Sequence, residues 1–166
     1  MRLIVADAGP LIALSRIRRL ELVRGLFDDV VVPTVVLDEL RLAERRPGVE
    51  DLARAITREK WIRSMKPRLD LPIAGLDAGE VAAIHLAEEF HCPLLVDERQ
   101  ARAVAATRGI TTVGTGRVLI EAKRQGLIPH VTDELAALRK AGYRLSSALC
   151  REILLLAGEG DRPSCP

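Results

Sequence analysis

Leu3-Ile4-Val5-Ala6-Asp7-Ala8-Gly9-Pro10 is the stretch on which the fold turns. Its four consecutive aliphatic residues make a run of strand length without polar alternation, the pattern of a strand covered on both faces. Asp7 closes the run, and Pro10 suits the first turn of a following helix. Runs of the same kind recur at 29–32, 93–96 and 110–113, with a weaker strand expected at 61–65 around Trp61-Ile62. Helical patterns fill the intervals, at 10–16, 19–26, 34–46, 49–58, 78–90, 98–107, 115–125, 132–141 and 147–157. Thr132 and Ser147 are the expected N-caps of the last two, and Gly142 and Gly158 their C-caps. Strands alternating with helices predict an α/β class with a mostly parallel sheet of four to five strands.

At 166 residues and 48% hydrophobic content, one domain with a sizeable core is expected rather than two cramped ones. The domain is placed at 1–157, and the tail 158–166, rich in Gly, Pro and charge, is expected to be disordered. Three cysteines without C-x-x-C spacing argue against a disulfide framework or zinc ribbon, and the three histidines lack a ligand spacing. The apolar run at the start imitates an export signal, but Asp7 and Pro10 break it and Arg16, Arg18 and Arg19 follow. No run approaches the roughly 20 residues of a membrane-spanning helix, so a soluble, cytoplasmic protein without a membrane partner is expected.

With 25 Lys plus Arg against 23 Asp plus Glu, net charge neither demands nor excludes a nucleic-acid partner. Locally, Arg54, Arg58, Lys60, Arg63, Lys66 and Arg68 face one acid, Glu59, which makes either a phosphate-attracting patch or a solvated helix face. Aromatic content of 2% leaves few stacking platforms for bases, so backbone charge would have to dominate any recognition of single strands.

Four acids lie in the most apolar segments, where a carboxylate is costly unless paired or bound to a cation. Asp7 and Asp97 close strands, the position beyond which ligands gather in an open parallel sheet. In the helix at 34–46, Glu39 flanks the apolar face of Val36, Leu40 and Ala43, whereas Asp38 points away. In the helix from Ala78, Glu80 falls with Ala83, Ile84 and Ala87 on the inner side, and His85 and Glu89 on the outer. Each acid also has a structural reading: Asp7 and Asp97 as helix caps, and Asp77 with Glu80 as a capping box. Glu39 has no helix end to serve.

The segments Val5–Leu14, Val32–Leu40, Leu76–Ile84, Leu95–Arg102, Val113-Gly114-Thr115 and Ala122–Ile128, in this order and spacing, resemble a PIN domain. The resemblance runs from about Leu3 to Leu156 and is greatest to a prokaryotic PIN-like branch catalogued as a domain of unknown function. It implies a three-layer α/β/α domain with an acidic pocket that binds Mg²⁺ or Mn²⁺ and cleaves RNA. It further implies a toxin of a toxin–antitoxin pair, homodimeric and neutralised by a cognate antitoxin. Carried over residue by residue, Asp7, Glu39, Glu80 and Asp97 are the catalytic and metal-binding acids. Glu98 is an accessory ligand or substitute beside Asp97, and Thr115 an accessory contact to phosphate or a helix cap. Arg99 and Arg102 are candidate RNA contacts. The alternatives are a PIN nuclease of RNA maturation or of DNA, and a catalytically inactive PIN-like binding or regulatory module. A phosphate-ester hydrolase of another α/β family is disfavoured, because Asp7-Ala8-Gly9 lacks the Asp-x-Asp of haloacid-dehalogenase-type phosphatases.

Overall fold

The computed structural model describes residues 2–43, 49–69 and 71–160, apart from the side chains of residues 39 and 41–43. Five strands, β1 (Leu3–Ala6), β2 (Asp29–Pro33), β3 (Ile62–Met65), β4 (Leu94–Leu95) and β5 (Thr112–Val113), form one sheet in the order β3-β2-β1-β4-β5. Every pairing is parallel. The helices among the described residues are α1 (Ala8–Arg16), α2 (Glu21–Leu26), α3 (Thr34–Ala43), α4 (Glu50–Thr57) and α5 (Ala78–Phe90). They continue with α6 (Arg99–Thr107), α7 (Thr115–Arg124), α8 (Val131–Lys140) and α9 (Ser147–Leu156).

Alternation along the strands divides the core. Ile4, Ala6, Val30, Val32 and Leu95 face the layer that contains Leu14 of α1, Val36 of α3, Leu119 of α7, Leu135 of α8 and Leu154 of α9. Val5, Val31, Leu94 and Val96 face Ile84 of α5 and Ala101 of α6. This is the expected three-layer α/β/α arrangement, and it explains why the strands read as unbroken apolar runs: both faces are dry. A one-residue slip of β1 would exchange its two faces at once, and each buried aliphatic side chain is worth about 1.5–3 kcal/mol, so the register is strongly specified.

From β1 the chain winds outward through β2 and β3, then returns to the other side of β1 to lay down β4 and β5. The point where the direction reverses lies between β1 and β4, whose carboxyl ends are joined by the Asp7 N–H donating to the Leu95 carbonyl at 3.0 Å. Asp7 and Asp97 therefore leave the sheet side by side at the switch point.

Several local expectations are corrected. The paired cores of β4 and β5 are shorter than 93–96 and 110–113, although Leu94 N–H to Thr111 O and Val96 N–H to Val113 O extend the ladder. The last two helices are capped at His130 and Ser146, not Thr132 and Ser147. His85 is buried, not outward: its Nε2 lies 3.0 Å from the Leu71 carbonyl, and Arg68 pairs with Glu89 of the same helix. Of the tail placed at 158–166, residues 158–160 are described. Glu159 is 4% exposed and accepts the Val131 and Thr132 N–H groups at 2.8 and 2.9 Å, so it fills the N-terminus of α8 that His130 leaves without a side-chain cap. Residues 161–166, with Cys165, and residues 44–46 of the expected third helix lie outside the described residues. Among the described residues, no helix is long and apolar enough to cross a membrane.

Candidate active site

The N-termini of four helices, α1, α5, α6 and α7, each hold a carboxylate, and these carboxylates make up the acidic site. Asp7, extended at φ −82°, ψ 165°, caps α1, its Oδ2 3.4 Å from the Gly9 nitrogen. Asp77 and Glu80 form a complete capping box on α5, Glu80 N–H to Asp77 Oδ1 and Asp77 N–H to Glu80 Oε2 both at 2.9 Å. Glu98 caps α6 by accepting the N–H groups of Gln100 and Ala101. The structural reading of Asp97 as the cap of this helix is thereby excluded. Asp97 instead reaches the start of α7, taking the Thr115 N–H at 2.8 Å on Oδ1 and the Thr115 hydroxyl at 2.6 Å on Oδ2. Helix N-termini carry partial positive charge, which offsets part of the cost of drawing these anions inward.

The offset is incomplete. Burial raises the Asp7 carboxyl above its ordinary value; hydrogen bonds from Ala8 and Gly9 oppose this, and the negative charges of Asp77 and Asp97 raise it further. Burial likewise raises Glu80, opposed by its bond to the Asp77 backbone and reinforced by Asp77, Asp7 and Glu98. Asp7, Asp77, Glu80, Asp97 and Glu98 thus share one electrostatic neighbourhood.

They do not form a ready cage. Among the described residues, no group of three or more His, Cys, Asp or Glu side chains is spaced to hold a metal ion. The Glu39 side chain lies outside the described residues; its helix does place Val36 and Leu40 in the core and Asp38 outside, as expected. The dispersal has a physical cause: each acid is drawn to its own helix N-terminus, and like charges repel. Chemically the set still suits a hard divalent cation, being all oxygen, and burial, with the neighbouring acids, holds Asp7 and Glu80 above their ordinary values.

Beside Asp97 opens a cleft of about 690 Å³, whose polar end includes Arg102, Thr115, Arg117 and Arg144 and whose apolar wall includes Ile153 and Leu156. Arg102 and Asp97 both close over Gly114: a Cβ there would stand 2.8 Å from Arg102 Nη1 and 3.1 Å from Asp97 Oδ1. Arg99 is exposed on the first turn of α6. Thr115 is 1% exposed, so it acts on Asp97 rather than reaching outward. Three of the six cations of the basic stretch 54–68 are paired: Arg54 with Asp51 and Glu59, Arg63 with Asp29, and Arg68 with Glu89.

Two residues at this site escaped the sequence reading of it. Asp77, read only as a cap, also bears on Asp7. Tyr143, from the connection between α8 and α9, lines the same cleft as Asp97 and Thr115; burial, then the negative charge of Asp97, hold its hydroxyl well above the usual value. Its only sequence signal is that it is the one tyrosine of the chain.

No curated protein sequence is significantly similar to the chain. Among solved structures, it is similar to a PilT N-terminus domain protein from the hyperthermophilic archaeon Sulfolobus solfataricus. The TM-score is 0.51 at 16% identity, over 72% of this chain and 92% of that one, a likeness of fold. The model of the family DUF3368, described as a PIN domain, matches residues 3–159. Spanning all five strands and the acids Asp7, Asp77, Glu80, Asp97 and Glu98, that match means that the chain belongs to this PIN-domain family.

Proposed function

We propose that the protein is a divalent-metal-dependent endoribonuclease of PIN type. The observation that carries the proposal is the set of neighbouring carboxylates at the switch point, Glu80 buried and Asp7 and Asp97 half-buried, in which Asp7 and Glu80 are both raised by burial and by their acidic neighbours. Asp7, Glu39, Glu80 and Asp97 would hold Mg²⁺ or Mn²⁺. When bound, such an ion supplies activation of the nucleophile and neutralises charge building on the scissile phosphate. The protein's own groups do the rest. Thr115 fixes the rotation of Asp97, and Arg102 and Arg144, both lining the cleft, offer cations for the phosphate backbone. A role as the toxin of a toxin–antitoxin pair, with a cognate antitoxin and a homodimeric state in the cytoplasm, is proposed on the family resemblance.

One observation favours a second reading, a non-catalytic PIN module: both Asp97 oxygens and the Asp77–Glu80 pair already serve as structural hydrogen-bond acceptors. The two readings separate in one experiment. Purified protein and its Asp7→Asn variant are incubated with a mixed RNA pool and Mg²⁺ or Mn²⁺. The nuclease reading requires cleavage by the wild type that EDTA and Asp7→Asn both abolish, and equal cleavage by the two proteins would sink it.

A further inference from the structure

We propose that the outer edge of β3 is a docking surface for an acidic, extended peptide segment of a partner protein, which adds a strand to the sheet there. β2 separates this edge from the switch point between β1 and β4, so docking on it needs neither the acidic site nor a metal.

Strand β3 ends the sheet, and among the described residues no strand pairs with its outer side. Its ladder with β2, from Ile62 opposite Val30 to Met65 opposite Pro33, occupies the inner side of its backbone. Beyond that ladder, no backbone–backbone hydrogen bond among the described residues engages residues 62–66. The outward N–H and C=O groups of such an edge are a template for a further strand. After Ile62 the strand is not buried either, because Arg63, Ser64, Met65 and Lys66 are all exposed.

The charges select the occupant. Glu59, the one acid between Thr57 and Lys66, is drawn to Arg24 at 3.1 Å and Arg54 at 3.9 Å, and Arg63 pairs with Asp29. Arg58, Lys60 and Lys66 are exposed and take part in none of the ion pairs among the described residues, two of them before β3 and one after it. A strand carrying carboxylates would complement these cations. The β3 of a second copy would instead bring like charges together, as edge lysines do to discourage self-pairing. Apolar contacts are on offer as well. By alternation Met65 shares the sheet face of Val31, which packs on α5, and the following chain is tied to α5 by Arg68 to Glu89 and by the Leu71 carbonyl to His85. On that side Met65, Leu69 and Leu71 are 37%, 53% and 58% exposed. Free main-chain groups and exposed aliphatic side chains among the cations suit a peptide, in which main-chain bonds give affinity and alternate side chains give selectivity. The phosphates of a nucleic acid would use neither.

The test uses a fluorescein-labelled peptide of alternating glutamate and valine, its counterpart with lysine for glutamate, and a form N-methylated at every residue, which keeps the charges and removes the main-chain donors. Binding is followed by fluorescence anisotropy in EDTA for the wild type and an Arg58→Glu/Lys66→Glu variant, and amide spectra of the ¹⁵N-labelled wild type locate the contact. The expected result is binding of the glutamate peptide with shifts at residues 62–66, weakened about tenfold or more by N-methylation, by lysine or by the double substitution. Equal binding of the N-methylated form leaves charge attraction alone and overturns the proposal, as does no binding of the glutamate peptide or shifts confined to other residues. Signals of residues 62–66 that move on dilution of the protein alone assign the edge to a second copy, and tighter binding of a uridine oligonucleotide at the same residues assigns it to nucleic acid. Either result overturns the proposal too. If the double variant does not fold, the N-methylated peptide on the wild type decides.

Discussion

Thr115 holds Asp97 by both oxygens, its backbone N–H on Oδ1 at 2.8 Å and its hydroxyl on Oδ2 at 2.6 Å, across 18 residues of chain. One residue thereby joins the end of β4 to the start of α7. Thr115→Val is nearly isosteric and leaves the N–H bond in place, so it isolates the hydroxyl. A hydrogen bond to a charged group is worth about 1.5–3 kcal/mol, and a loss of that order is expected from urea denaturation. RNA cleavage should fall as well. An unchanged denaturation midpoint would show that the hydroxyl contributes nothing to holding Asp97.

Asp7→Asn should separate stability from activity. The Asp7 carboxyl is held above its ordinary value of 3.8, so the native state binds its proton more tightly than the unfolded chain does. Such a group penalises folding once pH exceeds its raised folded value, and the penalty disappears as pH falls through that value toward 3.8. In EDTA at pH 7, Asp7→Asn should therefore melt above the wild type, with the gap closing as the solution is acidified. Added Mn²⁺ should raise the wild type and leave the variant where it was. A variant less stable than the wild type at neutral pH without metal would contradict this account.

Glu159 predicts the opposite pH trend. Burial by itself would raise its carboxyl, but Lys123, Thr132 and the backbone N–H groups of Val131 and Thr132 together pull it down to about 2. A depressed acid contributes stability above its ordinary 4.5, and that stability is lost as pH falls from there toward 2. Glu159→Gln leaves Lys123 without its anion, 2.7 Å away in the native protein, and should cost on the order of 3 kcal/mol at pH 7. The difference between the two proteins, followed by denaturation across pH 2–5, should shrink with acid. A constant difference would mean that the charge is irrelevant.

Gly114→Ala tests the crowding at the site. Its added methyl would meet Arg102 and Asp97 at 2.8 and 3.1 Å, and whereas the arginine can swing aside, Asp97 is clamped. Gly114 sits at φ −103°, open to any residue, so backbone strain is not part of the effect. Metal affinity and RNA cleavage should drop several-fold, with the melting temperature changed little. Cleavage kinetics matching the wild type would show that the acid tolerates displacement.

The architecture was legible because its signals are local. Unbroken aliphatic runs ending in Asp7 and Asp97 declared buried parallel strands, and the Asp77-x-x-Glu80 spacing declared a capping box that the structure closes with two 2.9 Å bonds. Even the weak run at Trp61-Ile62 proved to be the edge strand β3. All these patterns span only a few residues, where backbone geometry alone decides which side chains can meet.

What the linear chain withheld depends on residues far apart in it. Nothing in the tail announces that Glu159 will turn back to serve α8, nor does Tyr143 betray that it will line a cleft with an acid 46 positions earlier. By itself the sequence determined the strands, the helices and which acids stand at strand ends. Tertiary structure alone decided that Glu98 rather than Asp97 caps α6, that Arg54, Arg63 and Arg68 of the basic stretch pair with acids outside it, and that the described carboxylates share a field without forming a cage. Hydrophobic periodicity specifies which face of an element turns inward, but the partner of a polar group is chosen only when packing brings distant helix ends together.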